Sequence, residues 1–168
     1  NFDSLTGLPN QILLRDRVQQ LREQVAASGT QVLGYLLLKT ARLRVIGESL
    51  GPGVEQEILR QVAARLGQFS NADTSVARVG DRAFAVAAVR ATANELSALA
   101  RQLLDVMGAP FHHEQQELHL DPCVGIAVFP NDGDDYDSLV QGAEAALGRA
   151  MASKAERYAF YRPELNEG

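Results

Sequence analysis

Three short stretches of this sequence carry side chains whose types and spacing could do chemistry. Gly47-Glu48-Ser49-Leu50-Gly51 spells the pattern in which a strained strand-to-helix turn presents a nucleophilic serine to a histidine base. That chemistry needs a strand directly before the serine. Residues 41–50 instead read as a short helix in a chain that is short for that hydrolase architecture, so the pattern is set aside. His112, His113 and His119 lie near Glu114 and Glu117, a composition that could ligate a metal. Adjacent strand residues such as His112 and His113 point to opposite faces, and no pair has i,i+4 helical spacing, which makes these solvated hairpin residues. Asn131-Asp132-Gly133-Asp134-Asp135 suggests a calcium loop, but counting from Asp132 the sixth and twelfth positions hold Asp137 and Ala143 where Gly and Glu are required. Carboxylates entering a helix N-terminus account for it. No glycine-rich phosphate loop of Walker or dinucleotide type is present.

The elements that would position these residues follow from periodicity. Ile12, Leu13, Val18, Leu21 and Val25 recur at helical spacing, and Pro9-Asn10 starts a helix expected over about 10–27, which Ser28-Gly29 stops. Gln31 to Leu38 is short, aliphatic and bounded by Gly29 and Lys39-Thr40, as a buried strand is. After the 41–50 helix, Gly51-Pro52-Gly53 punctuates the chain before Val54, Ile58, Leu59, Val62, Leu66 and Phe69 mark a second long helix. Val76–Val79 and Phe84–Val89 flank Gly80-Asp81, two β-prone runs around a turn signal, and read as a hairpin. Thr92 caps a third helix that ends at Gly108-Ala109-Pro110. Two strands are expected between Phe111 and Phe129, at 117–120 and 124–129. Asp135–Ser138 leads into a fourth helix, and Tyr158–Tyr161 closes as a strand. Adjacent hairpin strands with helices between them predict an α+β domain with a mostly antiparallel sheet rather than a doubly wound parallel one.

Composition is that of one ordinary globular domain: 168 residues, 46% hydrophobic and 22% charged. Sixteen Lys and Arg against 21 Asp and Glu give a net charge of −5, which excludes a broad electrostatic footprint for nucleic acid or an anionic membrane but leaves room for a small anion bound locally. Cys123 stands alone, so an internal disulfide, a Cys-rich zinc site and a paired-cysteine redox centre are all excluded. The longest apolar run, Val32 to Leu38, is interrupted by Gly34 and far too short to span a bilayer. A cytoplasmic location is expected, and the ends of the sequence suggest a segment of a longer protein, whose anchoring to a membrane upstream is left open.

Asp3-Ser4-Leu5-Thr6-Gly7-Leu8-Pro9-Asn10 near the start, Gly125-Ile126-Ala127-Val128-Phe129-Pro130-Asn131-Asp132-Gly133 near the end and the following Arg157-Tyr158-Ala159-Phe160-Tyr161 together resemble the GGDEF domain, the diguanylate cyclase family. The resemblance spans all 168 residues as a single domain. It implies a cyclase-like palm with a central, mostly antiparallel five-stranded sheet flanked by helices, plus a small peripheral hairpin. Residues 162–168 resemble the start of a linker to an EAL phosphodiesterase domain. Working members of the family condense two GTP molecules into cyclic di-GMP with divalent cations held by carboxylates.

Against that pattern the residues of this chain depart one after another. The signature loop, normally Gly-Gly-Asp-Glu-Phe, reads Gly80-Asp81-Arg82-Ala83-Phe84, with Arg82 in place of a metal carboxylate. The first strand, where Leu-Asp-Leu-Asp is usual, ends Leu38-Lys39-Thr40-Ala41, so both acids are gone and Lys39 replaces a metal ligand. The guanine-reading Asn maps to Gly47, its assisting Asp to Gln56, the usual His to Pro52 and the phosphate-binding Lys to Met151. The inhibitory Arg-x-x-Asp that binds product maps to Asn71 and Thr74. The resemblance therefore implies a degenerate, non-catalytic domain with no metal, no nucleotide and no cofactor. Its partners would be adjacent sensor and EAL domains, or a second copy in a homodimer, reached through the N-terminal helix or the remodelled tip at Asp81 and Arg82. The alternatives are a cyclase with unusual ligands, which would need GTP and Mg²⁺, and an allosteric GTP-binding module.

Overall fold

The computed structural model describes residues 1–167, without the side chains of residues 166 and 167. Its elements are α1 (Gln11–Ser28), β1 (Val32–Lys39), α2 (Arg42–Leu50), α3 (Pro52–Gly67), β2 (Thr74–Gly80), β3 (Ala83–Arg90), α4 (Ala93–Gly108), β4 (Phe111–His113), β5 (Gln116–Leu118), β6 (Cys123–Phe129), α5 (Tyr136–Ala152) and β7 (Tyr158–Phe160). A 3₁₀ turn at Pro163–Glu167 follows, in the stretch expected to begin a linker.

Five strands form one sheet in the order β2-β3-β1-β6-β7, while β4 and β5 make a separate hairpin. The β2·β3, β3·β1 and β1·β6 pairs are antiparallel; only β6·β7 is parallel, with α5 as the connection a parallel pair requires. The expected sheet is thus present. What periodicity missed is β4: the region 111–129 holds three strands rather than two, and β5 stops at Leu118 instead of running to Leu120. Three-residue strands are too short to show alternation, and their turn passes through Glu114 at φ +54°, a left-handed conformation that glycine usually signals.

The sheet is covered on both faces, which is why β1 and β6 read as continuous apolar runs. Period-two alternation sends Leu33, Tyr35 and Leu37 toward Leu14, Val18 and Leu21 of α1 and Leu139 and Ala143 of α5. Leu36 and Leu38 face the opposite side, among Ile58, Val62 and Leu66 of α3 and Leu96 and Leu103 of α4. The helix ends match their caps: Asn10, Thr92 and Asp135 accept N–H groups of Leu13, Glu95 and Ser138, and Gly29 closes α1 at φ +71°.

Candidate functional site

Strand register brings the catalytically suggestive residues to one corner. Lys39, last in β1, pairs with Ala83 of β3 and Cys123 of β6, so the β2–β3 turn at Asp81-Arg82 lies beside the exit from β1 into α2. A bulge between Arg78 and Gly80 bends the hairpin there. Arg78 fixes the turn: its Nη2 donates to the Asp81 carbonyl at 2.6 Å, and its Nη1 donates to both oxygens of Asp3 at 3.1 Å. Asp3 also accepts the Thr6 N–H at 2.9 Å and the Thr6 hydroxyl at 2.7 Å, and the Arg78 N–H donates to the Pro9 carbonyl, so the segment 3–10 is tied to the hairpin. Burial raises the Asp3 pKa, but the Thr6 hydrogen bonds and the Arg78 guanidinium outweigh it and hold the carboxyl below its ordinary 3.8.

Arg82 does not point into open solvent. Its Nε and Nη2 both donate to Glu55 in the first turn of α3, the second bond measuring 3.2 Å to Oε1. The Glu55 hydrogen bond, followed by the charges of Glu55, Asp81 and Glu48, raises the guanidinium above its ordinary pKa. Glu55 itself is buried, at 8% exposure, and its carboxylate occupies the space above Gly47 of α2. A Cβ built on Gly47 would lie 2.0 Å from Glu55 Oε1, so a side chain at position 47 would require the Glu55 carboxylate to move from its present place. The fork of Arg82 matches a carboxylate geometrically, and the pair staples the hairpin tip to the α2–α3 corner.

Two cavities flank this staple. One of about 390 Å³ is lined by Lys39, Ala41, Arg44, Asp81, Arg82 and Met151. The other, about 580 Å³, is lined by Pro52, Glu55, Gln56, Arg78, Asp81 and Arg82. The structure thus gathers Lys39, Gln56, Gly80, Asp81, Arg82, Ala83 and Met151 around one corner, with Gly47 beneath Glu55 and Phe84 buried in the core below the tip. Asn71 and Thr74 lie apart, exchanging backbone hydrogen bonds at the far end of β2. A divalent cation suits this corner poorly, since Lys39, Arg44 and Arg82 line the smaller cavity against the single carboxylate of Asp81.

Sequence reasoning did not single out Glu55, Arg44 or the Asp3–Arg78 tie. A signal for Glu55 existed: it precedes Ile58 and Leu59 by one helical turn, on the face of α3 that enters the core, where a carboxylate requires a cation. The other candidates fall elsewhere. Ser49 is an exposed residue within α2, not at a strand-to-helix turn. His112 pairs across the β4–β5 hairpin with Glu117, which also contacts His119 at 2.9 Å. Among the described residues no group of three or more His, Cys, Asp or Glu side chains is placed to hold a metal ion. Asp135 caps α5, as the acidic-turn reading expects.

Fold and corner together define an α+β palm whose hairpin tip, first-strand end and α2–α3 corner meet at one groove. The family model "Diguanylate cyclase, GGDEF domain" matches residues 1–157, and the chain belongs to the GGDEF family. It is 26% identical to the bifunctional diguanylate cyclase/cyclic di-GMP phosphodiesterase MucR of Pseudomonas aeruginosa over 98% of this chain and 24% of that protein. It is 25% identical to the cyclic di-GMP phosphodiesterase PdeR of Escherichia coli over 99% of this chain and 25% of that one. Among solved structures, a sensory box/GGDEF family protein from Caulobacter crescentus superposes with a TM-score of 0.86 at 27% identity, covering 90% of this chain and 97% of that one. An EAL/GGDEF domain protein from M. capsulatus gives 0.74 at 30% identity, covering 92% of this chain and 100% of that one. The chain spans about a fifth to a quarter of the length of the curated relatives it matches. Among the described residues no helix is long and apolar enough to cross a membrane.

Proposed function

We propose that this chain is a non-catalytic GGDEF domain that regulates neighbouring domains of a cyclic di-GMP signalling protein through contacts rather than through turnover. One observation carries the reading: Arg82, at a metal-ligand position of the family pattern, is bonded to Glu55, whose carboxylate fills the space above Gly47 where the pattern places the guanine reader. The protein's own ion pair thus occupies the guanine-reading position of the pattern. Lys39 at the other metal position repels a divalent cation, and Gln56 and Met151 supply neither the carboxylate nor the ammonium of the pattern. Removing the ligands of the cations removes the charge stabilisation on which phosphoryl transfer depends.

The domain on this reading is residues 1–168, with 162–168 leading toward an EAL phosphodiesterase domain and α1 receiving the state of an upstream sensor. It works in the cytoplasm without GTP, Mg²⁺ or another cofactor, and without contacting nucleic acid or a membrane surface. The names of MucR and PdeR support a signalling protein that handles cyclic di-GMP. The test is incubation of the purified chain with GTP and either Mg²⁺ or Mn²⁺, followed by chromatographic detection of product. Cyclic di-GMP is expected at the level of a protein-free control, and formation far above that level would refute the proposal.

A further inference from the structure

The loop joining β6 to α5, residues 130–135, is gripped from two sides by arginines of elements distant in sequence. From α1, Arg22 lies 5.0 Å over the Phe129 ring and its Nε donates to the Asp134 carbonyl. Two turns earlier on the same face, Arg15 meets Asp137 Oδ1 at 3.0 Å and lies 4.7 Å over the Tyr136 ring. From the C-terminal side, Arg162 donates through Nε to Asp132 Oδ1 at 2.7 Å and through Nη2 to the Asn131 carbonyl. The Asp132 side chain is 0% exposed, and its second oxygen accepts the Val128 N–H at 2.7 Å. A Cβ on Gly133 would come within 2.5 Å of Ser138 Cβ, so the loop sits directly against the first turn of α5.

Surface ion pairs alone contribute little, but Asp132 is a buried charge whose cation partner is Arg162, and arginines bonded to backbone carbonyls fix the path of the chain they touch. Arg149 of α5 adds to the hold on the exit by donating to the carbonyls of Phe160 and Tyr161. An acidic turn that cannot form a calcium loop thus links the N-terminal helix to the departing C-terminal segment.

We propose that this loop is a mechanical coupler: displacement of α1 shifts the 130–135 loop through Arg22 and the adjoining first turn of α5 through Arg15, and Asp132 passes the shift to Arg162 and the backbone beyond β7. The proposal rests on the regulatory reading for its use in a larger protein, but it is a property of this domain and is tested without nucleotide or activity. Hydrogen exchange read by mass spectrometry on the 168-residue chain compares peptides covering 129–137 and 158–165; the latter includes the Leu165 N–H, which bonds the Arg162 carbonyl at 3.0 Å. In the variant carrying Arg15→Ala and Arg22→Ala, exchange is expected to quicken roughly tenfold in both peptides. Arg65→Ala, which frees the carbonyls of Val106 and Ala109 at the end of α4, is expected to leave 158–165 unchanged. With Asp132→Asn, or Arg162→Lys should the first variant fail to fold, the α1 substitutions are expected to have less than about a twofold further effect at 158–165. Wild-type exchange at 158–165 in the α1 variant, or full additivity with the loop variant, overturns the coupling.

Discussion

Arg82 and Glu55 differ in what each leaves behind when the other is removed. Glu55 is buried while the Arg82 side chain is 40% exposed, so Arg82→Ala strands a carboxylate, whereas Glu55→Ala frees a guanidinium that can turn to water. Arg82→Ala is expected to destabilise the domain by about 1–3 kcal/mol and Glu55→Ala by clearly less, as measured by urea unfolding. The Asp3 carboxylate gives a pH signature. Its folded pKa lies below the ordinary 3.8, so its contribution to stability is complete above that value and is lost as pH falls through the lower folded value. Asp3→Ala is expected to destabilise by about 1–2 kcal/mol at neutral pH and to flatten the acid limb of a stability-against-pH curve below pH 4. The cations at Lys39 and Arg82 were legible in the sequence because a charge reversal at a motif position shows in the letters alone. The role of Glu55 was not, because it depends on α3 and the hairpin tip meeting in space, 27 residues apart along the chain.

Long helices announced themselves through a 3.6-residue period and the buried strands through short continuous apolar runs, and the helix ends through Asn10, Thr92, Asp135 and the glycines at 29 and 51. Within the expected peripheral hairpin, strand β4 did not, since its pairing is local, three residues long and turned by a non-glycine residue. Element packing also decides which glycines are replaceable. A Cβ on Gly125 of β6 would meet the Ala143 carbonyl at 2.1 Å and the Leu147 nitrogen at 2.4 Å, both backbone atoms of α5. A Cβ on Gly34 of β1 would meet only the tip of the Leu96 side chain, at 2.6 Å. Gly125→Ala is therefore expected to cost about 3 kcal/mol by forcing α5 off the sheet, and Gly34→Ala markedly less because a leucine can change rotamer. Thermal unfolding of the two variants side by side checks the order.

Across the whole molecule, two apolar cores pack on either side of the sheet of a cyclase-like palm, while at its tip Arg82 and Glu55 form an ion pair between the hairpin and the α2–α3 corner. Fold and chemistry can separate because the core depends on pattern, which tolerates many sequences, whereas the family's site chemistry depends on particular carboxylates, whose positions the family pattern maps to Lys39, Ala41 and Arg82 in this chain. The net charge of −5 is no guide to this corner, since a chain acidic overall carries Lys39, Arg44 and Arg82 there. On the proposed reading the Glu55–Arg82 pair and the missing carboxylates keep this corner from binding nucleotide, although open cavities lie beside the pair. Isothermal titration of the chain with GTP in the presence of Mg²⁺ tests it most directly. A flat titration up to about 1 mM nucleotide is expected, whereas saturable binding with a Kd below about 0.1 mM would contradict the account.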